Sequence, residues 1–173
     1  MRQANQTGLQ QDEAPFFILP MTESDAADVC GWRYDPPYDG YNWDPWAELL
    51  TQGRELADPY VRNEQYRSVW LKQDLIGFIQ RFPLASDGSA GVIRLGLGLR
   101  PDHCGQGYGP AIARAAVQEA LQHFPGWDVD LEVWEDNTRA VKAYKRAGFI
   151  VENRYELPAK GGRRPVLNMV WRG

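Results

Sequence analysis

The sequence predicts a mixed α/β (α+β) fold, one sheet of six to seven mostly antiparallel strands carrying about four helices. Three observations carry this. Residues 65–99 hold three segments rich in β-branched, aromatic and aliphatic residues, separated by turn signals, as in an antiparallel meander. Residues 110–121 are a run of strong helix formers. The alternating run Val129–Val133 follows, so a strand–helix–strand crossover interrupts the meander.

The elements follow in order. Phe16–Leu19 reads as a first strand. Thr22-Glu23-Ser24-Asp25 has N-cap chemistry and opens a short helix to about Trp32. Residues 34–40 stack two prolines with a glycine and exclude regular structure. Asp44-Pro45 has the form of an N-cap followed by proline at the first helical position, opening a helix to about Gln52. Gln65–Lys72, Leu75–Phe82 and Val92–Leu99 are the meander, with turns at Gln73-Asp74 and Ser86–Ser89. In the next helix Ile112, Ala116, Val117 and Ala120 share a face. Asn137–Ala147 is helical and Gly148 stops it. Strands Phe149–Leu157 and Pro165–Trp171 close the chain.

At 173 residues the chain suits one domain with a sizeable core. The polar residues 1–13 read as a disordered tail, and 14–173 as a single domain. With 43% hydrophobic and 24% charged residues the chain reads as globular. No apolar run approaches the roughly 20 residues that span a bilayer, and the N-terminus lacks an apolar signal core. Cys30 and Cys104 make neither a disulfide framework nor a metal-ligand pattern. These features predict a cytoplasmic protein with no metal and no membrane partner. A net charge of −4 argues against nucleic acid as a partner and suits a cationic substrate.

Cys104-Gly105-Gln106-Gly107-Tyr108-Gly109 lies between a predicted strand and a predicted helix. Three glycines permit a sharp turn that brings successive N–H groups toward one anion, and the helix N-terminus adds partial positive charge. The sequence lacks the Gly-Lys-Ser/Thr of a Walker loop. Its glycines also follow a late strand, at a spacing foreign to a dinucleotide fingerprint. The segment is therefore either a phosphate or pyrophosphate cradle or a plain strand-to-helix turn. Further on, Asn137 is placed as an N-cap, and Ala140, Ala143, Tyr144 and Ala147 share one face of the helix it opens.

Together, residues 97–149 resemble the GNAT superfamily of N-acetyltransferases. The first segment is similar to that superfamily's coenzyme A pyrophosphate loop, with Cys104 standing where Gln or Arg is usual. The second, Asn137-x-x-Ala140-x-x-x-Tyr144-x-x-x-Gly148-Phe149, matches its other motif closely. The resemblance implies acetyl-CoA as co-substrate, bound by Leu97, Leu99, Cys104, Gly105, Gln106, Gly107, Tyr108, Gly109, Asn137 and Tyr144. It implies parallel central strands that splay apart and admit the pantetheine arm beside Leu97 and Leu99, with Gly96 or Gly98 suited to a bulge. It further implies direct attack by the amine, through a tetrahedral intermediate whose oxyanion is met by the Leu99 N–H.

An alkyl amine is largely protonated at neutral pH, so the reaction needs a base. Glu132 reads either as that base or as a solvent-facing residue of an alternating strand. Its run Leu131-Glu132-Val133 resembles the ribosomal-protein acetyltransferase branch, where the Glu is the base. Tyr144 is the implied acid for the departing thiolate. The acceptor side falls to Trp32, Tyr34, Tyr38, Asp39 and Tyr41, part of an aromatic region interleaved with the carboxylates Asp35, Asp44 and Glu48. Such walls suit a cation, while some of these aromatics fill the core. His103 reads as solvated, with a phosphate contact beside the loop as its other reading, and Cys104 as no nucleophile. The basic run Lys160–Arg164 reads as a solvated hairpin tip. The adenosine phosphate or a second copy in a homodimer are its other candidate partners. Three functions follow from the resemblance: an N-acetyltransferase of small amines, a ribosomal-protein or peptide N-terminal acetyltransferase, and a non-catalytic coenzyme A sensor.

Overall fold

The computed structural model describes residues 16–85, 91–159 and 161–173. The predicted tail 1–13, the turn 86–89 and Lys160 lie outside the described residues. Twelve elements organise the rest: β1 (Phe16–Pro20), α1 (Glu23–Gly31), α2 (Trp46–Gln52), α3 (Pro59–Gln65), β2 (Tyr66–Leu71), β3 (Asp74–Leu84), β4 (Val92–Leu99), α4 (Tyr108–His123), β5 (Asp128–Trp134), α5 (Thr138–Arg146), β6 (Phe149–Ala159) and β7 (Gly162–Trp171). Among the described residues the strands form one seven-stranded sheet in the order β1-β2-β3-β4-β5-β7-β6.

Local chemistry accounts for most boundaries. Thr22 caps α1 in a capping box closed by Asp25. Burial of the Asp25 carboxylate is offset by a second partner, the Ser68 hydroxyl at 2.7 Å. In α2 the expected cap moves by one residue: Pro45 is the N-cap, and Asp44 is drawn away to pair with Arg54 at 3.0 Å. Helix α3 was not foreseen. Asp58-Pro59 begins it with proline at the first position and Asp58 accepting from the N–H groups of Tyr60 and Val61. Five α-helices therefore stand where about four were expected.

The two sheet faces bury different material. On one, α4 lays Ile112, Ala113, Ala116, Val117 and Ala120 against Ile93, Leu95, Val129 and Leu131. On the other, Val29, Leu49 and Leu56 from the N-terminal helices pack with Tyr66, Leu75 and Phe78. Each Val, Leu or Ile side chain so taken from water contributes roughly 1.5–3 kcal/mol.

The positions of β4 and β5 create the site. They are the only parallel neighbours among the described strands, paired from Val92↔Asp128 to Leu95↔Leu131. Beyond Leu95, β4 continues along β3 to Leu99, while β5 continues along β7 to Trp134. The two strands therefore diverge, leaving a gap between residues 96–99 and 132–134. The bulge expected at Gly96 or Gly98 is not there, since the β3–β4 register is unbroken from Gly77↔Leu99 to Leu84↔Val92. These glycines serve close approach instead. A Cβ on Gly98 would lie 2.0 Å from the Phe78 ring, and one on Gly96 would lie 3.2 Å from the Gln80 side chain. Among the described residues no helix is long and apolar enough to cross a membrane.

Candidate active site

The gap opens into a cleft of about 580 Å³ whose walls come from β4, β5, the glycine loop, α5 and the loop between α1 and α2. The β4 wall is a free backbone edge. In an antiparallel pair, hydrogen-bonded and non-hydrogen-bonded positions alternate. The Arg100 N–H donates to the Ile76 carbonyl at 2.7 Å, and Leu99 stands opposite Gly77. Arg100 and Gly98 therefore turn their polar groups to β3, and Leu97 and Leu99 turn theirs into the gap. The Leu99 carbonyl already accepts from the Tyr34 hydroxyl at 2.8 Å. Its N–H and both polar groups of Leu97 face the cleft.

The glycine loop closes one end. Gly105 and Gly107 have φ of 77° and 86°, and a Cβ on either would meet open space. The backbone dihedral, rather than crowding, is what calls for glycine there. Gly107 is the N-cap of α4 and offers no capping side chain, so the first-turn N–H groups of Tyr108 and Gly109 are left for a ligand. Gly109 also lets α4 approach α5, because its Cβ would sit 3.0 Å from that of Ala143.

Of the residues expected to hold the cofactor, Leu97, Leu99, Cys104, Gly105, Gly107, Gly109, Asn137 and Tyr144 line the cleft. The side chains of Gln106 and Tyr108 do not. Gln106 donates to the Asp102 carbonyl at 2.7 Å, and the Tyr108 ring lies edge-on to Phe16. These two residues can offer only their backbone. Cys104 hangs its thiol 3.5 Å from the Leu99 carbonyl. Burial raises that thiol's pKa, which disfavours a nucleophilic thiolate. Arg139, Lys142 and Arg146 of α5 also line the cleft and were not singled out in the sequence. Their spacing of three and four residues puts three cations on one helical face, a readable signal.

Tyr144 lies in the cleft wall, and burial pushes its phenol pKa well above the ordinary value, with Tyr41 and Tyr34 adding to the shift. Asn137 accepts from the Ala140 N–H at 3.4 Å as the α5 cap and donates to the Tyr41 hydroxyl at 3.1 Å. Glu132 stands where β5 leaves β4. Its Oε1 accepts from Arg94 Nη1 at 2.5 Å and from the Tyr155 hydroxyl. Neither partner was anticipated. Both are long-range contacts, separated by 38 and 23 residues.

The acceptor-side expectations divide. Tyr34 and Tyr41 line the cleft. Trp32 does not: it is 6% exposed and belongs to the core, tilted against Phe78 at 6.3 Å. Tyr38 stacks beneath the Arg139 guanidinium at 3.8 Å, outside the cleft lining, and Asp39 is exposed in a one-turn 3-10 helix. Asp35, Asp44 and Glu48 also face solvent. The aromatics that replace Trp32 and Tyr38 in the cleft wall are Trp43 and Phe78, and the carboxylate there is Glu132. Among the described residues no cluster of His, Cys, Asp or Glu is placed to hold a metal ion.

Several known proteins resemble the chain. A spermidine N-acetyltransferase from Vibrio cholerae, solved with CoA and spermine, superposes with a TM-score of 0.73 over 91% of this chain and 95% of its own, at 16% identity. AAC(6')-Ib in complex with paromomycin and acetyl-CoA gives 0.69 over 90% and 92%, at 22% identity. At such identities the likeness shows the fold. The peptidyl-lysine N-acetyltransferase YjaB of Salmonella typhimurium is 38% identical over 71 residues, which is 41% of this chain and 45% of that relative, less than half its length. The family model described as an acetyltransferase (GNAT) domain matches residues 16–150. That match spans most of the 173 residues, and the chain belongs to the GNAT acetyltransferase family.

Proposed function

We propose that the protein transfers an acetyl group from acetyl-CoA to a primary amine of a small molecule. The observation that carries this is one continuous cleft joining the glycine loop, the free β4 edge, Tyr144 and Glu132. Acetyl-CoA supplies the activated acyl group as a thioester. The glycine loop and α4 N-terminus would hold its diphosphate, and Arg139, Lys142 and Arg146 would add charge toward its phosphates. The cradle fits such a group, since side chains are absent at Gly105 and Gly107 and the first-turn N–H groups have no cap. Leu97 and Leu99 offer N–H donors to the pantetheine arm and to the carbonyl oxygen.

Glu132 takes the amine proton, directly or through a water. Tyr144 stands by the departing sulfur with its proton held firmly, because burial disfavours the phenolate. A thiolate, with an ordinary thiol pKa of about 8.5, is a weaker base than that phenolate. Tyr144 therefore stabilises the leaving sulfur chiefly by donating a hydrogen bond. The spermine and paromomycin bound in the similar structures are both multi-amine cations and support this acceptor class. Protein lysine is a second reading, supported by the likeness to the peptidyl-lysine acetyltransferase.

The test is release of free coenzyme A from acetyl-CoA across polyamines, aminoglycosides, amino acids, peptide N-termini and lysine peptides. Turnover with a polyamine or aminoglycoside is the expected result. Turnover confined to peptides moves the assignment to the second reading. Binding of acetyl-CoA with no turnover on any acceptor makes the protein a sensor.

A further inference from the structure

Glu132 sits at a junction. A second cavity, about 280 Å³, opens beside the cleft and shares Gln80, Leu95, Gly96 and Glu132 with it, adding Phe82 and Arg94. Among the described residues, the two groups that grip Glu132 grip the same oxygen. Arg94 is itself locked from the far side, with Nε 3.0 Å from Asp130 Oδ1 and Nη2 2.6 Å from Asp130 Oδ2. Asp130 is steadied by Asn168 Nδ2 at 2.8 Å. This two-pronged clamp leaves Nη1 to point at Glu132 Oε1. Tyr155 reaches across β7 from β6 and donates its hydroxyl to that same Oε1.

From this geometry we infer that Tyr155 and Arg94 are positioning residues, which pin Oε1 of Glu132 and leave its Oε2 as the oxygen presented to the acceptor amine. The inference rests on Glu132 as the base in the proposed function. Two features of the cluster support it. Arg94 lies between two carboxylates, so Arg94, Asp130 and Glu132 together carry one net negative charge at the cavity junction. An ammonium group balances that charge. A carboxylate on the acceptor would find Arg94 already occupied. Second, both donors contact a carboxylate that β5 alone would leave on a flexible three-bond tether, and fixing it removes the rotamer entropy of finding the amine.

The charged and titratable groups facing Glu132 are Arg94 from β4, Asp130 from β5 and Tyr155 from β6, while β3 and β7 bring Gln80 and Asn168. Two readouts test this. Carbon-13 NMR of glutamate-labelled protein, with Glu132→Gln to assign the signal, follows the carboxyl directly, and steady-state kinetics follow its use in turnover. Tyr155→Phe removes one of the two donors to Oε1. The expected result is a displaced Glu132 carboxyl resonance, a kcat about tenfold lower and an unchanged KM for acetyl-CoA. An unmoved resonance or an equal kcat in Tyr155→Phe overturns the positioning role. Arg94→Lys, which keeps the charge but loses the clamp, should lower kcat about tenfold while leaving KM for acetyl-CoA unchanged; equal kcat overturns the part assigned to Arg94. An unchanged kcat in Glu132→Gln overturns the base assignment instead, and the displacement of the carboxyl resonance in Tyr155→Phe still decides the positioning.

Discussion

Gly98→Ala tests how the β4 edge is built. The added Cβ would lie 2.0, 2.6 and 2.7 Å from three atoms of the Phe78 ring, well inside contact distance. Phe78 cannot retreat into the core, because Trp32, Trp43 and Tyr66 surround it with ring centroids 6.1–6.4 Å away. Overpacking of this kind costs about 1–3 kcal/mol. For a domain of this size each kcal/mol shifts Tm by about 2–4 °C, so the fall should be about 2–12 °C. One escape exists, since Phe78 also lines the cleft and its ring could swing there. Calorimetric melting and isothermal titration with acetyl-CoA measure the two routes. Gly96→Ala is the internal comparison and should cost less, because its neighbour is the flexible Gln80 side chain at 3.2 Å. Phe78→Leu in the Gly98→Ala background should restore part of the loss. A Gly98→Ala protein with unchanged Tm and unchanged acetyl-CoA affinity refutes the close-approach account.

Three further outcomes are expected. Tyr144→Phe should lower kcat by about 10²-fold, as for loss of one hydrogen-bond donor to developing negative charge. Burial holds the wild-type phenol protonated, so kcat should show no alkaline limb from Tyr144 below about pH 10; steady-state rates against pH check both. Arg139→Ala should weaken acetyl-CoA binding about tenfold, as expected for a lost charge-assisted contact, with a shallower salt dependence read by titration calorimetry. Burial raises both thiols, Cys30 to about 11. Labelling by a disulfide reagent at pH 8 should therefore be slow and should accelerate as pH rises. Saturating CoA should protect Cys104, which lines the cleft, and leave Cys30 unaffected.

Much of the candidate site was written locally. Gly105 and Gly107 take dihedrals that only glycine adopts freely, Asn137 caps the helix it opens, and Gly148 ends it at a φ of 100°. Each is a property of a few consecutive residues, so motif and spacing revealed it. The α3 start carried the same kind of signal in Asp58-Pro59 and was overlooked. Trp32 and Trp43 show the opposite case. Both lie in one aromatic stretch of similar composition, yet one fills the core and the other lines the cleft. Which way each ring turns depends on where Phe78 and the N-terminal helices meet, and residue type does not encode that.

The sequence by itself determined the order of the strands, the glycine turn before α4 and the helix that carries Tyr144, because backbone dihedrals and hydrogen-bond caps act over short stretches of chain. Only the tertiary structure decided where β4 and β5 part, which rings face the cleft, and that Arg94 and Tyr155 meet on one oxygen of Glu132. Those outcomes follow from register across strands remote in sequence, where a one-residue slip would send each side chain to the other face of the sheet.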